Sequence, residues 1–386
     1  MKRTLLYIFA LIYAASNFVS CQETCRSVGN DGECQNNDID DSLSPEERLI
    51  HQAAAFGDFL VDIFNLNDAY QGTNRTEQEY LVLKAVLENV GMNSSVLTAP
   101  NLSYNWYHDL FTRLTAMAPP NYFFRIYQGK PTDFECMIVG AMDHFAVELA
   151  KETNLPKLED GLRSKAFRRY RYRGGQTRSA QVFRMVVEDP LKYWIGFAVP
   201  NQEVLERIAA YSPIVEVGAG TGYWSAALQQ QEAGVDVIAY DSEPPSRDSN
   251  VYFHQAYTTV HPGTCTNVFQ EHPKYGKERA LLMVWPNNPD QNDHPESFSG
   301  SELPPTWDVD CLKAYWKAGG STVIFVGERQ ENIPLMPHAP FAESGLTATK
   351  KFQQLLQKNF DLVEQIDIPH WWTCDDATIW KRKESL

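Results

Sequence analysis

The chain has 386 residues, 43% of them hydrophobic and 22% charged, which is enough to bury one large core or two modest ones. Its formal charge of −15 argues against nucleic acid and anionic membrane surfaces as partners, because neutralising phosphates takes a basic surface. Seven cysteines with no C-x-x-C pair and no close His/Cys cluster give no support for a metal site.

Met1-Lys2-Arg3 followed by the apolar run Leu5 to Ala15 predicts a secretory signal peptide over residues 1–21, cut before Gln22, with an uncleaved signal anchor as the alternative. The run is short for a membrane span, so no integral span is expected after cleavage. Residues 22–43 are polar and acidic and predict a mobile tail. Cleavage leaves Cys25, Cys34, Cys136, Cys265, Cys311 and Cys374, an even set that an oxidising compartment invites to pair. Cys25 and Cys34 are spaced to close a small loop; the remaining pairing is open, and buried thiols are the alternative. Sequons at Asn74, Asn93 and Asn101, taken with the leader, predict a glycan-bearing face in the secretory pathway.

Residues 44–184 predict a mostly helical region. Ser44-Pro45-Glu46-Glu47 reads as a helix start, and Leu49, Ala53, Phe56, Phe59, Leu60 and Ile63 recur at helical spacing. A second helix is predicted from about Glu77 to Val90. The aromatics Tyr104, Trp106, Tyr107, Phe111, Tyr122, Phe123 and Phe124 either fill its core, the reading the spacing favours, or line a cavity. Arg163, Lys165, Arg168, Arg169, Arg171, Arg173 and Arg178 form the most basic stretch, which serves either as a solvated connector or to meet an acidic group.

An α/β domain is expected over residues 185–386. Asn201 is placed to cap a helix bearing Val204, Leu205 and Ile208. Pro213 to Asp241 then reads strand, glycine turn, helix, strand, with Asp241 at the tip of the second strand, placed to bind a ribose diol. Glycines let the backbone approach a ligand where a Cβ would collide, and a helix start offers free N–H groups. The spacing is G-x-G-x-G, with Tyr223 where a dinucleotide fingerprint needs its third glycine.

Ile214-Val215-Glu216-Val217-Gly218-Ala219-Gly220-Thr221-Gly222 resembles the first motif of the class I S-adenosylmethionine-dependent methyltransferases. The resemblance implies a mostly parallel seven-stranded Rossmann-like sheet closed by an antiparallel hairpin, and S-adenosylmethionine as cofactor. It also implies that Glu216, Gly218, Ala219, Gly220 and Gly222 face the methionine end of that cofactor, with Asp241 on its ribose. Trp285, at the carboxyl end of its expected strand, is a further candidate cofactor-binding residue whose ring offers a flat wall. Over about residues 190 to 383 the order of GAGTGYW, AYD-x-x-PP, LLMVWP and VIFVGE looks like a poorly characterised methyltransferase-like family.

Further strands are expected around Val251 to His254, at Ala280 to Trp285, at Thr322 to Val326, and in a closing pair, Phe360 to Ile368 with Ala377 to Lys381. Two departures from the family pattern matter. Gly263-Thr264 stands where many members carry an acid for the adenine amine, and Trp285-Pro286-Asn287-Asn288 shares only position and one proline with the N-methyltransferase motif. The candidate catalytic residues are Asn287, Asn288 and Glu328 at strand ends on the expected ligand edge, with His254, His261 and Asp290 as further candidate bases. Tyr223 and Trp224 either bound the methionine pocket or pack on the sheet. The expected activity is methyl transfer to a small-molecule or protein acceptor; the alternative is a non-catalytic secreted or lumenal binding protein on the same fold.

Overall fold

The computed structural model describes residues 45–70, 74–98, 103–118, 182–231, 234–245, 250, 253–286, 307–332, 345, 347–371, 373 and 375–384. The leader, the tail, Asn101, the basic stretch, Asn287, Asn288, Asp290, Cys25, Cys34, Cys136 and Cys374 lie outside these residues.

Helix α1 (Pro45–Ala69) buries Phe56, Phe59, Leu60 and Ile63, residues three or four apart that fall on one face. Helix α2 (Arg75–Asn89) starts at Asn74, whose side chain accepts from the Glu77 N–H at 2.8 Å, and it buries Val82, Leu83, Val86 and Leu87. Helix α3 (Trp106–Met117) buries Trp106, Tyr107, Leu110, Phe111 and Leu114. A π-helical turn at Arg184–Glu188 runs into α4 (Asp189–Trp194). These elements share one apolar core with Tyr223, Tyr257 and Trp371, so the helical layer is packed onto the α/β part of the chain. Of the aromatics named above, Trp106, Tyr107 and Phe111 belong to that core; Tyr122, Phe123 and Phe124 lie outside the described residues.

Helix α5 (Gln202–Ala209) is capped by Asn201 on the Val204 N–H at 2.8 Å and delivers the chain to β1 (Ile214–Val217). Then follow α6 (Tyr223–Gln229), β2 (Val237–Asp241), β3 (Val260–Pro262), α7 (Cys265–Glu271), α8 (Lys274–Glu278) and β4 (Ala280–Val284). The chain continues with α9 (Asp308–Lys317), β5 (Thr322–Glu328), α10 (Lys350–Asn359), β6 (Phe360–Asp367) and β7 (Asp375–Arg382). The strands form one sheet in the order β3-β2-β1-β4-β5-β7-β6, with β7 antiparallel to both its neighbours and the first five strands parallel. That order with a reversed β7 is the class I methyltransferase fold.

Alternation within the buried strands sends side chains to two helical layers. Ile214, Leu282, Ile324 and Val326 pack with Val204, Leu205, Ile208, Trp224 and Leu228 of α5 and α6. Val215, Val217, Leu281, Met283, Val323 and Phe325 pack with α7, α9 and α10, and a Cys265–Cys311 disulfide ties α7 to α9 within that second layer.

The third strand corrects the sequence reading. It lies at Val260–Pro262, in register with Ala239 to Asp241, whereas Phe253 and His254 are irregular. The Phe253 N–H is taken by the Asn250 side chain at 2.7 Å, the His254 N–H by the Tyr193 carbonyl, and the His254 ring by α2. Bonding to the helical layer therefore outweighs the strand propensity of this segment. Among the described residues, no helix is long and apolar enough to cross a membrane.

Candidate active site

The loop after β1 is built from three left-handed residues: Gly218, Gly220 and Gly222 have φ of 71°, 54° and 68°. Any Cβ there would be strained, which is why glycine recurs at every second position. The turn is pinned to the neighbouring strand, since the Ala219 N–H donates to the Tyr240 carbonyl at 3.0 Å and the Gly220 N–H to Asp241 Oδ2 at 2.9 Å. Asp241 Oδ1 accepts from the Glu243 N–H at 2.9 Å. Burial pushes the Asp241 pKa up against the pull of these two N–H groups. Each carboxylate oxygen offers two lone pairs, so Asp241 can hold the loop and still accept a diol.

Glu216 is buried under the loop, where its Oε2 accepts from the N–H of Ser225, at 3.1 Å, and from its hydroxyl. It thus ties α6 to β1. Burial drives its pKa up to about 7, opposed by the Ser225 hydrogen bonds and reinforced by Asp241. Glu216 lines a cavity with Ile195, Phe197, Gly218, Gly220 and Val284.

Two aromatic rings close over the loop. A Cβ added at Gly218 would lie 2.5 Å from the Trp307 ring, and one at Gly220 would lie 2.7 Å from the Phe253 ring. Tyr223 and Trp224, the first residues of α6, are both buried. The Tyr223 hydroxyl accepts from the Tyr107 N–H and donates to the Tyr104 carbonyl, each at 3.2 Å, and Trp224 Nε1 donates to the Ala198 carbonyl. Both residues line the cavity as well, so wall and packing roles coincide.

Trp285 directly follows β4 at φ 47°, a left-handed conformation unusual for a bulky residue. Its N–H donates to the Val326 carbonyl, and its indole N–H donates to Asp375 Oδ2 at 2.9 Å. The ring packs on Phe197 at 5.2 Å, which places Trp285 between a cavity wall and Asp375. Because β7 runs antiparallel, its first residue reaches the same edge as the ends of β1, β4 and β5, and Asp375 falls opposite Glu328 in the ladder. Both acids are buried. The Glu328 N–H is tied to the Thr347 hydroxyl at 2.7 Å, and Gly345 crowds its carboxylate so closely that a Cβ there would sit 2.6 Å from Oε2. A buried lysine completes the edge: Lys192 Nζ lies 2.5 Å from Glu188 Oε1 and 5.3 Å from the centre of the Trp285 ring.

Of the sequence candidates, the structure gathers Glu216, the glycine loop and Asp241 at one end of this edge and Trp285 with Glu328 at the other. His254 lies elsewhere, its Nε2 2.6 Å from Glu79 Oε2 and its Nδ1 3.2 Å from the Thr76 hydroxyl. His261 is exposed in β3, and Thr264 spends its hydroxyl capping α7 on the Asn267 N–H. Asn287, Asn288 and Asp290 lie outside the described residues. Sequence reasoning missed Phe197, Phe253, Trp307, Lys192, Glu188 and Asp375. Only the doublet Asp375-Asp376, acids at the start of an apolar strand, carried a local signal.

A scan against protein-family models found no match, and a search among curated proteins found none either. Solved structures do match. One is magnesium protoporphyrin IX methyltransferase from Synechocystis PCC 6803 with bound SAH, 12% identical, with a TM-score of 0.31, covering 58% of this chain and 98% of that one. A second is an O-methyltransferase family protein from Burkholderia thailandensis, 12% identical with a TM-score of 0.31, covering 89% of this chain and 100% of that one. A third is an O-methyltransferase from neocarzinostatin biosynthesis in complex with S-adenosylmethionine and 2-hydroxy-5-methyl naphthoic acid, 12% identical with a TM-score of 0.33, covering 86% and 96%. What those proteins bind and methylate belongs to them alone.

Proposed function

We propose that this chain is an S-adenosylmethionine-dependent methyltransferase of the secretory pathway. The observation that supports it most is the left-handed glycine loop held by Asp241 at the carboxyl edge of a sheet with a reversed seventh strand. In open α/β sheets, ligands bind outside the carboxyl ends of the strands, where the strand order reverses, and here that point is the β1 loop. The loop's backbone and Asp241 suit a nucleoside bearing a polar tail, provided the Phe253 and Trp307 rings turn aside. Bound there, S-adenosylmethionine supplies an electrophilic methyl group on a sulfonium. The chain's own tasks are to align a nucleophile with that methyl group, to exclude water and to accept a proton where the acceptor requires it. The secretory assignment rests on the leader-like N terminus and the sequons, and the Cys265–Cys311 bond is of a kind that an oxidising compartment preserves.

Calorimetric titration with S-adenosylmethionine and S-adenosylhomocysteine tests the reading. Both should bind the wild type, and Asp241→Ala should weaken both at least tenfold, about 1.4 kcal/mol, while thermal unfolding shows the variant folded. Gly220→Val is the poorer probe, because its side chain would meet the Phe253 ring.

The rings over Gly218 and Gly220 favour a second reading, a binding protein that retains the fold without the chemistry. Under it, neither nucleoside binds the wild type, and Phe253→Ala with Trp307→Ala does not restore binding.

A further inference from the structure

Glycine at position 220 opens a space that the chain then fills with its own ring. A Cβ there would lie 2.7, 2.8 and 3.2 Å from Cζ, Cε2 and Cε1 of Phe253, so the ring meets the loop tip first, and it lines the same cavity as Glu216 and Gly218. A ligand drawn close to the Gly220 backbone needs the volume that this ring holds. Phe253 therefore competes with whatever the loop binds. Trp307, the other ring over the loop, packs with the layer of α7, α9 and α10.

What holds the Phe253 ring in place lies in the helical layer. His254, the next residue, sets its Nε2 2.6 Å from Glu79 Oε2 and its Nδ1 3.2 Å from the Thr76 hydroxyl, both on α2, and its ring packs 5.2 Å from that of Trp194 in α4. Only 10% of the His254 side chain and 12% of Glu79 are exposed, so water competes weakly for their bond. Glu79 is itself oriented by Arg75, whose Nε lies 2.6 Å from the other carboxylate oxygen and whose guanidinium sits over the Tyr193 ring at 4.4 Å. Two further bonds repeat the attachment. The His254 N–H donates to the Tyr193 carbonyl at 3.3 Å, and the Gln255 side chain donates to the Leu97 carbonyl at 2.6 Å, in the short helical turn Ser94–Thr98. The far end is fixed to the loop instead, since the Tyr257 N–H donates to the Thr221 carbonyl at 2.8 Å. Residues 253–257 thus form a strap that is anchored beside the glycine loop, hooked at its middle on the helical layer, and led by a ring over Gly220.

We propose that Phe253 is a plug on the nucleoside site and that the His254–Glu79 bond is its latch, so that the helical layer sets how freely the site fills. The proposal rests on the transferase reading and adds the control of that same site. Ring and ligand compete for one space, so the apparent affinity is the intrinsic one scaled by the fraction of chains with the ring withdrawn. Linkage makes the effect reciprocal: a bound nucleoside loosens the latch by the factor by which the latch weakens the nucleoside.

The test combines calorimetric binding of S-adenosylhomocysteine to the full chain with backbone hydrogen exchange over residues 253–257. His254→Ala should tighten binding about fivefold or more and, without ligand, lower the protection of the strap by a similar factor. Phe253→Ala should tighten binding at least as much. Adding His254→Ala to it should then change the affinity by less than about twofold, because the latch has no plug left to hold. Glu79→Gln, a second variant should His254→Ala fail to fold, should move both readouts in the same direction. In the wild type, saturating S-adenosylhomocysteine should lower the protection of the His254 N–H. Weaker binding in Phe253→Ala, which would make the ring a wall of the bound ligand, overturns the proposal. So does a latch effect that persists in the Phe253→Ala background, or a strap whose exchange ignores both latch variants. Failure of the transferase reading is seen separately: no variant binds S-adenosylhomocysteine, while exchange over the strap still answers to His254→Ala.

Discussion

A carboxyl group at Glu216 costs stability when it ionises, because its site holds one hydroxyl and one N–H but, among the described residues, no cation. Its folded pKa, about 7, lies above the ordinary value of 4.5, so between these values the folded chain binds more protons than the unfolded one. Stability contributed by the neutral carboxyl is therefore full below about pH 4.5, falls as pH rises, and is gone above about pH 7, a swing of about 3 kcal/mol. Urea denaturation at stepped pH should show that fall in the wild type, and Glu216→Gln should flatten it; an unchanged slope would show that another group carries it. The local part of this site was legible in the sequence, since glycine spacing, Glu216 and Asp241 belong to one short βαβ unit. Asp375, Lys192 and Glu188 were not legible. Their chemistry arises from a reversed strand meeting a turn nearly two hundred residues earlier, and no local pattern records such a meeting.

Elements repeat the lesson. Strands β1, β4 and β5 are apolar runs buried on both faces, and α5 and α10 are amphipathic helices capped by Asn201 and Thr349, so their identity is written locally. The segment before β3 departs from a strand because Tyr193 and Glu79 draw His254 to the helical layer while Asn250 takes the Phe253 N–H locally, and only the folded contacts reveal that competition. The cysteines were counted but not paired, since sequence spacing does not tell which helices will lie side by side. The Cys265–Cys311 bond spans a separation of 46 residues, for which chain entropy gives about 4 kcal/mol. Cys265→Ala with Cys311→Ala should lower the unfolding free energy by about 2–4 kcal/mol in denaturant titration, with cofactor affinity unchanged because the bond lies within the α7–α9 layer. A loss below about 1 kcal/mol would mean that packing alone holds that layer.

At the scale of the whole molecule, the sequons meet the fold at two described sites. Asn74 and Asn93 are both exposed, and each uses its side-chain oxygen on a nearby N–H, of Glu77 and of Ser95. Aspartate keeps that acceptor while destroying the sequon. On chain expressed with its leader through a secretory system, Asn74→Asp and Asn93→Asp should each remove the mass of one glycan without lowering the melting temperature by more than a degree or two. Unmodified wild-type material bearing Met1 would count against the secretory assignment. The reversed β7 has one more consequence. It is the last of the seven strands in the chain, yet it fills the position between β5 and β6. During synthesis those two strands wait with facing edges bare, and bare edges recruit other chains. A polypeptide interrupted before Asp375 thus carries a slot one strand wide, and a synthetic peptide of the β7 sequence should enter it by strand donation and restore the missing ladder in trans.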